Sequence, residues 1–504
     1  MGRLKSGSGR VLLAGLIVQA TVAALAGAAS ASLPGASSML VRAPYLTDVT
    51  TRSVEVSWAT TTQGRGVVEY ARNGRCAAST ATARQLGSPI TVNGVREFQN
   101  SVQISGLSPR TSYCYRVTTG GRNRINLLGS NVSPSFTTLP RVRGTRPFTF
   151  DVMGDWGDTT NGAVNNGTLN TNQARIDALI AGSHAQFAVS TGDTAYPGGT
   201  QTDYGDLNQT GINISAVFGP RYWAVPGQRI PYFAVTGNHG RNSNFLSVWP
   251  EQATAASSAG VYRMVSYPSI DGAKAAQYPT SYYAFSTGNT RFYMLDASWS
   301  DSGTGRATGG TCGAHCAMYQ VDHDAHWTVK SAEYQWLTRD LAAHRGGLKF
   351  AFFHFPLYSD DSTEPNDPYL DNIASDPGSL EKLLHDNGVD LVFNGHAHDY
   401  QRNIARPGGV TSYVTGGAGA QASPVGGHGC ASTDAYAVGW SYSAGRGSAC
   451  GAAPTPTSDA QVYNFLRVTV AGLKVTVQPI NALGQAFDVH AYDFAKVAAR
   501  PAGG

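Results

Sequence analysis

The chain has 504 residues, more than one typical domain needs, with 59 glycines and 24 prolines against 14% charged residues. That balance excludes a mainly helical protein and points to a strand-rich, loop-rich, exported one. The formal charge of +4 excludes little until the first 31 residues are set aside. They hold Arg3, Lys5 and Arg10 and no acid, so 34 of the 37 basic residues remain against 33 acidic ones, without the basic surplus of a nucleic-acid binder.

Residues 1–31 read as a signal peptide. A basic start is followed by an apolar run from Val11 to about Ala26 and by small residues at Ala29-Ser30-Ala31, with Ser32 as the expected new start. The run is short for a membrane span and is diluted by glycine and Gln19. The expected product is secreted or extracytoplasmic, with no membrane anchor after cleavage; its oligomeric state is not written in the sequence. Six cysteines fit an oxidising compartment. Local pairing gives Cys76–Cys114, Cys312–Cys316 and Cys430–Cys450. A rival for the middle pair is a zinc site with His315, His323 and His326.

Residues 40–140 form the first expected domain, all-β. Ser53–Trp58, Gly66–Tyr70 and Ser112–Val117 alternate with period two, and turn residues separate them. About seven short strands in about a hundred residues suit a β-sandwich. Leu107-Ser108-Pro109 followed by Tyr113 and Tyr115 resembles the fibronectin type III pattern, whose usual role is a spacer or a binding surface.

From Arg146 to about 495 the pattern becomes α/β. Strand candidates at Phe148–Met153, Phe187–Ser190, Tyr232–Val235, Leu348–Phe353 and Val389–Phe393 alternate with helix candidates at Thr171–His184, Ser331–His344 and Ser379–Asp386. Gly419–Pro454 lacks periodicity and reads as a long loop stapled by Cys430–Cys450. The tail, at Gln461–Val468, Lys474–Pro479 and Phe487–Tyr492, is expected to add antiparallel strands to this same domain.

Five blocks close these strands: Gly154-Asp155-Trp156-Gly157, Gly192-Asp193-Thr194-Ala195-Tyr196, Gly237-Asn238-His239, Phe353-His354 and Gly395-His396-Ala397-His398. Each places a ligand residue just past a strand's C-terminal end, where open α/β sheets build their sites. Carboxylates, an amide oxygen and imidazoles suit Fe, Mn or Zn. The glycines beside them are expected to let the backbone turn sharply. Enough ligands are present for two close ions, which indicates metal-assisted hydrolysis of a phosphate ester.

Taken together, the blocks resemble the calcineurin-like metallophosphoesterase superfamily, and Tyr196 narrows the likeness to the purple acid phosphatases. Ala332-Glu333-Tyr334-Gln335-Trp336-Leu337 and Asp399-Tyr400-Gln401-Arg402 extend it, as does the preceding sandwich. The resemblance implies an α/β fold, a metallophosphoesterase β-sandwich flanked by helices. It implies that Asp155, Tyr196 and His398 hold Fe(III), that Asn238, His354 and His396 hold a divalent Fe, Zn or Mn, and that Asp193 bridges them. His239 would contact the phosphate and protonate the leaving alcohol. The implied function is an acid phosphatase that cleaves small-molecule phosphate monoesters by attack of a metal-bound hydroxide. A phosphodiesterase or nucleotidase on the same scaffold is the alternative, followed by a non-catalytic binding protein.

The chain also departs from the family. Gly240 stands where an acidic residue often follows the histidine. In the stretch just after His354, where plant-type members often place further histidines, there is none; Asp360, Asp361 and Glu364 are there instead. Among the remaining candidates, Asp296 ends the strand Phe292–Leu295 and reads first as structural, with support of the site as the alternative; Asp158 is expected to cap a segment and Arg402 to form an ion pair. Gly416-Gly417-Ala418-Gly419 is expected to carry the backbone past the metals. His184, His344 and His385 read as structural residues at helix ends.

Overall fold

Leu40–Thr47 and Val54–Thr60 pair antiparallel, and the second of them pairs with Val95–Ile104. The computed structural model describes residues 35–72, 76–85, 89–130, 132–159, 170–210, 214–220, 227–239, 248–249, 263–266, 277–280, 282–297, 329, 331–361, 379–427 and 429–496. Facing the first three strands is a sheet of Ser79–Thr82, Val67–Ala71, Ser112–Thr118 and Ser135–Thr137, in that order. Trp58, Tyr115, Val117 and Phe136 fill the space between the two sheets. The Tyr113 hydroxyl accepts the Ser108 N–H at 2.9 Å, a tie from a strand back to the preceding turn that is typical of such sandwiches. Cys76 and Cys114 are disulfide-bonded.

The second part is built on two layers, the first of them continuous with the strand Leu40–Thr47 through the parallel pairing of Thr47 with Tyr232. Phe148–Met153, Phe187–Ser190 and Tyr232–Ala234 run parallel in one. Thr290–Met294, Leu348–Phe352, Leu391–Asn394 and Ser412–Thr415 run parallel in the other. Their inner faces meet through phenylalanines. Phe150 packs edge-on to Phe292 at 5.1 Å, and Phe233 stacks on Phe285 at 3.9 Å. Burying each such ring contributes about 1.5–3 kcal/mol. Strands covered on both faces read as continuous apolar runs, which is why these were legible.

Helices cover the outer faces. Thr171–Ala181 starts where the Asn170 side chain accepts the Gln173 N–H, and it buries Ile176 and Ile180 on the first layer. Ala332–Ala343 and Leu380–Asp386 start at Ser331 and Ser379, and they bury Leu337, Leu341, Leu380 and Leu384 on the second. Each such side-chain cap contributes about 1 kcal/mol. The tail strands Asn464–Ala471, Lys474–Asn481 and His490–Asp493 extend the first layer antiparallel from Phe148–Met153.

Gly419–Pro454 is not the long loop that its composition implied. Asp434–Ser441 and Arg446–Gly451 form a hairpin at the edge of the second layer. Small residues are mixed with Tyr436, Val438 and Trp440, and burial does not alternate along either strand, so no period of two marks them. The Cys430–Cys450 disulfide ties the preceding loop to its second strand. The signal peptide, the Cys312–Cys316 pair and its histidine rival fall outside the described residues.

Candidate metal centre

All eight candidate residues lie at the ends of the parallel strands. Asp155, Asp193, Tyr196, Asn238 and His239 follow strands of the first layer; His354, His396 and His398 follow strands of the second. Cross-links between these segments hold them together. The Asp155 N–H donates to the Gly192 carbonyl, the Trp156 N–H to that of Asp193, and the Gly395 N–H to that of His354.

Three of the candidates adopt left-handed backbone themselves: Asp155, Asp193 and His396, with φ of 58, 46 and 69°. Such residues cost of order 1–3 kcal/mol each and persist where the surroundings enforce them. The neighbouring glycines mostly serve another purpose. A Cβ on Gly237 would lie 1.9 Å from Asp193 Oδ1, and one on Gly395 2.5 Å from Asp155 Oδ2. A Cβ on Gly416 would meet the Ala397 carbonyl at 2.0 Å, so this backbone does pass directly beside the site.

The side chains converge in two sets. In the first, Tyr196 Oη lies 3.2 Å from Asp155 Oδ1 and 3.1 Å from His398 Nε2, and His398 Nε2 lies 3.5 Å from Asp155 Oδ1. In the second, Asn238 Oδ1 lies 2.7 Å from His354 Nε2 and 3.1 Å from His396 Nδ1. Asp193 stands between the sets: its Oδ2 is 3.4 Å from His354 Nε2, and it clusters with Asp155 and His354. Asp155 also accepts the His396 N–H through both oxygens.

The donor chemistry fits cations. His354 Nδ1 donates to the Thr191 carbonyl at 3.0 Å and His398 Nδ1 to the Gln421 carbonyl at 3.0 Å. A neutral ring so held turns its Nε2 lone pair into the cluster, the usual way of orienting a metal-bound imidazole. Ligands about 2.1 Å from one ion, at tetrahedral to octahedral angles, lie roughly 3.0–3.4 Å from one another. In the first set the spacings of 3.1 and 3.2 Å fall within that range and the third, 3.5 Å, lies just above it.

Without an ion, protons supply the missing charge. Burial alone would lift the Asp193 carboxyl, but the charges of His354 and His239 hold it well below the ordinary range. Burial would likewise lower His354 and His398. Asp193 nevertheless raises His354 to about 9, and Asp155 raises His398 to about 10. His396 is pushed far down by burial and by the charge of His354. Burial, with Asp193 and Asp155 nearby, lifts the Tyr196 phenol well above its usual value.

His239 is half-buried. Its N–H donates to Asp193 Oδ1 at 2.8 Å, its Nδ1 to the Pro197 carbonyl at 2.8 Å, and its ring lies 4.5 Å from that of Tyr196. Asp296 is tied to the segment that carries Asn238. It accepts the Thr236 hydroxyl at 2.9 Å, two residues before Asn238, and donates its own N–H to Glu333. Arg402 pairs with Asp488 through two bonds of 2.8 Å. Asp360 lies with Cys430, Asp434 and Cys450, against the hairpin. The Thr191 and Gln421 carbonyls that orient the imidazoles carry no side-chain signal and were not foreseen. Gly240 and Glu364 lie outside the described residues.

Comparison with known proteins bears on the family and the fold. A family model described as calcineurin-like phosphoesterase matches residues 148–400, and one described as the purple acid phosphatase N-terminal domain matches residues 43–138. Purple acid phosphatase 15 of Arabidopsis thaliana is 26% identical over 318 residues, 60% of this chain and 49% of that protein. Tartrate-resistant acid phosphatase type 5 of Oryctolagus cuniculus is 23% identical over 290 residues, 56% of this chain and 76% of that protein. The match to the first of these thus spans about half of its length. The structure of purple acid phosphatase PPD1 from yellow lupin seeds shares the fold. It has a TM-score of 0.57 and 15% identity, with 91% of this chain and 76% of that one covered.

Proposed function

The chain belongs to the calcineurin-like phosphoesterase family, and from that premise we propose that it is a secreted acid phosphatase acting on phosphate monoesters with two metal ions. Asp155, Tyr196 and His398 would hold the first, Fe(III), Asn238, His354 and His396 would hold the second, a divalent Fe, Zn or Mn, and Asp193 would be shared between them. The observation that carries this reading is the convergence of two side-chain sets, drawn from all five blocks, around the buried Asp193 carboxylate.

Bound there, the two cations would make water acidic enough to attack phosphorus at low pH and would neutralise charge on the phosphoryl oxygens. The chain's own groups do the rest. The Thr191 and Gln421 carbonyls fix the imidazole tautomers, and Asp296 braces the Asn238 segment through Thr236. With Nδ1–H held by Pro197, a protonated His239 can pass the proton on Nε2 to the departing alkoxide. Two disulfides support secretion, and no helix among the described residues is long and apolar enough to cross a membrane.

The test is a panel of monoesters and diesters offered to metal-replete protein at pH 5. Monoester turnover above diester turnover supports the reading. Diester preference would shift it to a phosphodiesterase, and two bound metals with no turnover would leave a binding protein.

A further inference from the structure

The N-terminal sandwich was expected to be a spacer, yet it sends a buried guanidinium into the catalytic layer. Arg42, 1% exposed, lies in the strand Leu40–Thr47. Its Nε donates to the Gly205 carbonyl at 2.9 Å, its Nη1 to Gln201 Oε1 at 2.7 Å and its Nη2 to the Gln201 carbonyl at 2.9 Å. These partners flank the one-turn helix Gln201–Tyr204, so the fork grips that turn at both ends. Glu97 of the same sandwich stands 3.6 Å from Arg42 Nε, and the Phe218 ring lies 5.0 Å from the guanidinium carbon.

The gripped turn leads to the centre. The Tyr204 hydroxyl lies 3.0 Å from Thr194 Oγ1 and accepts the Trp249 Nε1–H at 3.2 Å. Thr194 stands beside Asp193 and two residues before Tyr196. Tyr45, also from the sandwich, packs on Phe218 and Trp249 and donates its hydroxyl to the Val248 carbonyl at 3.0 Å.

We propose that Arg42 is a positioning residue for the metal centre, fixing through Gln201 and Tyr204 the segment that carries Asp193 and Tyr196. The sandwich is thereby a working part of the site. A guanidinium suits the task because its planar fork holds several acceptors at fixed angles, which lysine cannot do. The inference rests on the two-metal reading proposed above.

The test compares wild type, Arg42→Met, Tyr204→Phe and Arg84→Met, the last at an exposed arginine of the same sandwich. Metal affinity is read by competition with a chromophoric chelator, and the phenolate-to-iron absorption band is recorded on iron-loaded protein. Arg42→Met and Tyr204→Phe should retain metal about 10–100-fold more weakly and shift the band, as loss of groups that orient ligands does. Arg84→Met should match wild type. Tyr204→Phe removes a single hydroxyl, so it decides the matter if Arg42→Met does not fold. A purely structural role would lower Tm while leaving affinity and band unchanged in folded protein, and that result would overturn the inference. A wild type that binds no metal would overturn the two-metal reading itself, and the inference with it.

Discussion

Gly237→Ala puts the smallest possible side chain where the structure has no room for one. The new Cβ would lie 1.9 Å from Asp193 Oδ1 and 2.3 Å from the Asp193 backbone nitrogen, where real contacts begin at 3.0 Å. The carboxylate oxygen must therefore retreat by about 1.1 Å. Its backbone cannot follow easily, because the Asp193 carbonyl accepts the Trp156 N–H. Overpacking of this kind costs about 1–3 kcal/mol, which a large domain survives. Metal–ligand distances tolerate only about 0.2 Å. The variant should thus fold with a modestly lower Tm, lose at least one ion, and turn over about 10²-fold or more slowly, the usual scale for a misplacement of about 1 Å. The assay is metal content after gel filtration, with Tm and monoesterase rate measured alongside. Gly346→Ala, where a Cβ meets nothing within 4 Å, is the control. A folded Gly237→Ala protein that holds two ions at wild-type affinity would refute the reasoning.

Tyr196→Phe should remove the purple phenolate-to-iron absorption while leaving some activity; colour that survives the substitution would place the iron elsewhere. His239→Ala should keep both metals and lose activity by about 10²–10⁴-fold, with less loss for esters whose leaving groups need no proton. An equal loss for all leaving groups would reassign His239 to holding the phosphate. Metal-free protein should show a distinct pH dependence. His354 and His398 sit at about 9 and about 10 when folded, against an ordinary value of 6.5. A raised imidazole gives stability that is complete below the unfolded value and is lost as pH climbs through the folded one. Tm of metal-free protein should therefore fall between about pH 6.5 and 10, while bound metal, which keeps the rings unprotonated, should flatten that fall. Equal slopes with and without metal would count against these two rings as ligands.

Much of this was legible in the chain because parallel strands buried on both faces are written as apolar runs, and each block follows one. Phe148–Met153 and Phe187–Ser190 have the bounds that the pattern gives. The hairpin Asp434–Ser441 with Arg446–Gly451 was not legible. It lies at a sheet edge among small residues such as Ala437, Gly439 and Gly447, where packing imposes no period of two. The glycines of the blocks were rightly singled out, for an incomplete reason. Gly157 and Gly192 do take a positive φ, but Gly237, Gly395 and Gly416 chiefly leave space for carboxylates and backbone. Left-handed backbone also falls on Asp155, Asp193 and His396 themselves, and nothing local announces it. Nor could any window around Arg42 reveal partners about 160 residues away, since such contacts exist only once the two sandwiches have met.

The central claim is that Asp193 joins two ions. Asp193→Asn keeps the shape and an acceptor oxygen but removes the charge that offsets repulsion between the cations. His354→Ala removes an outlying ligand from one ion only. Metal content and turnover of both variants across a titration with divalent metal separate the two roles. The account predicts that Asp193→Asn binds the divalent ion weakly and stays nearly inactive even at excess metal, whereas His354→Ala recovers in part. An Asp193→Asn protein with two bound ions and near-normal turnover, beside a His354→Ala protein that cannot be rescued, would contradict it.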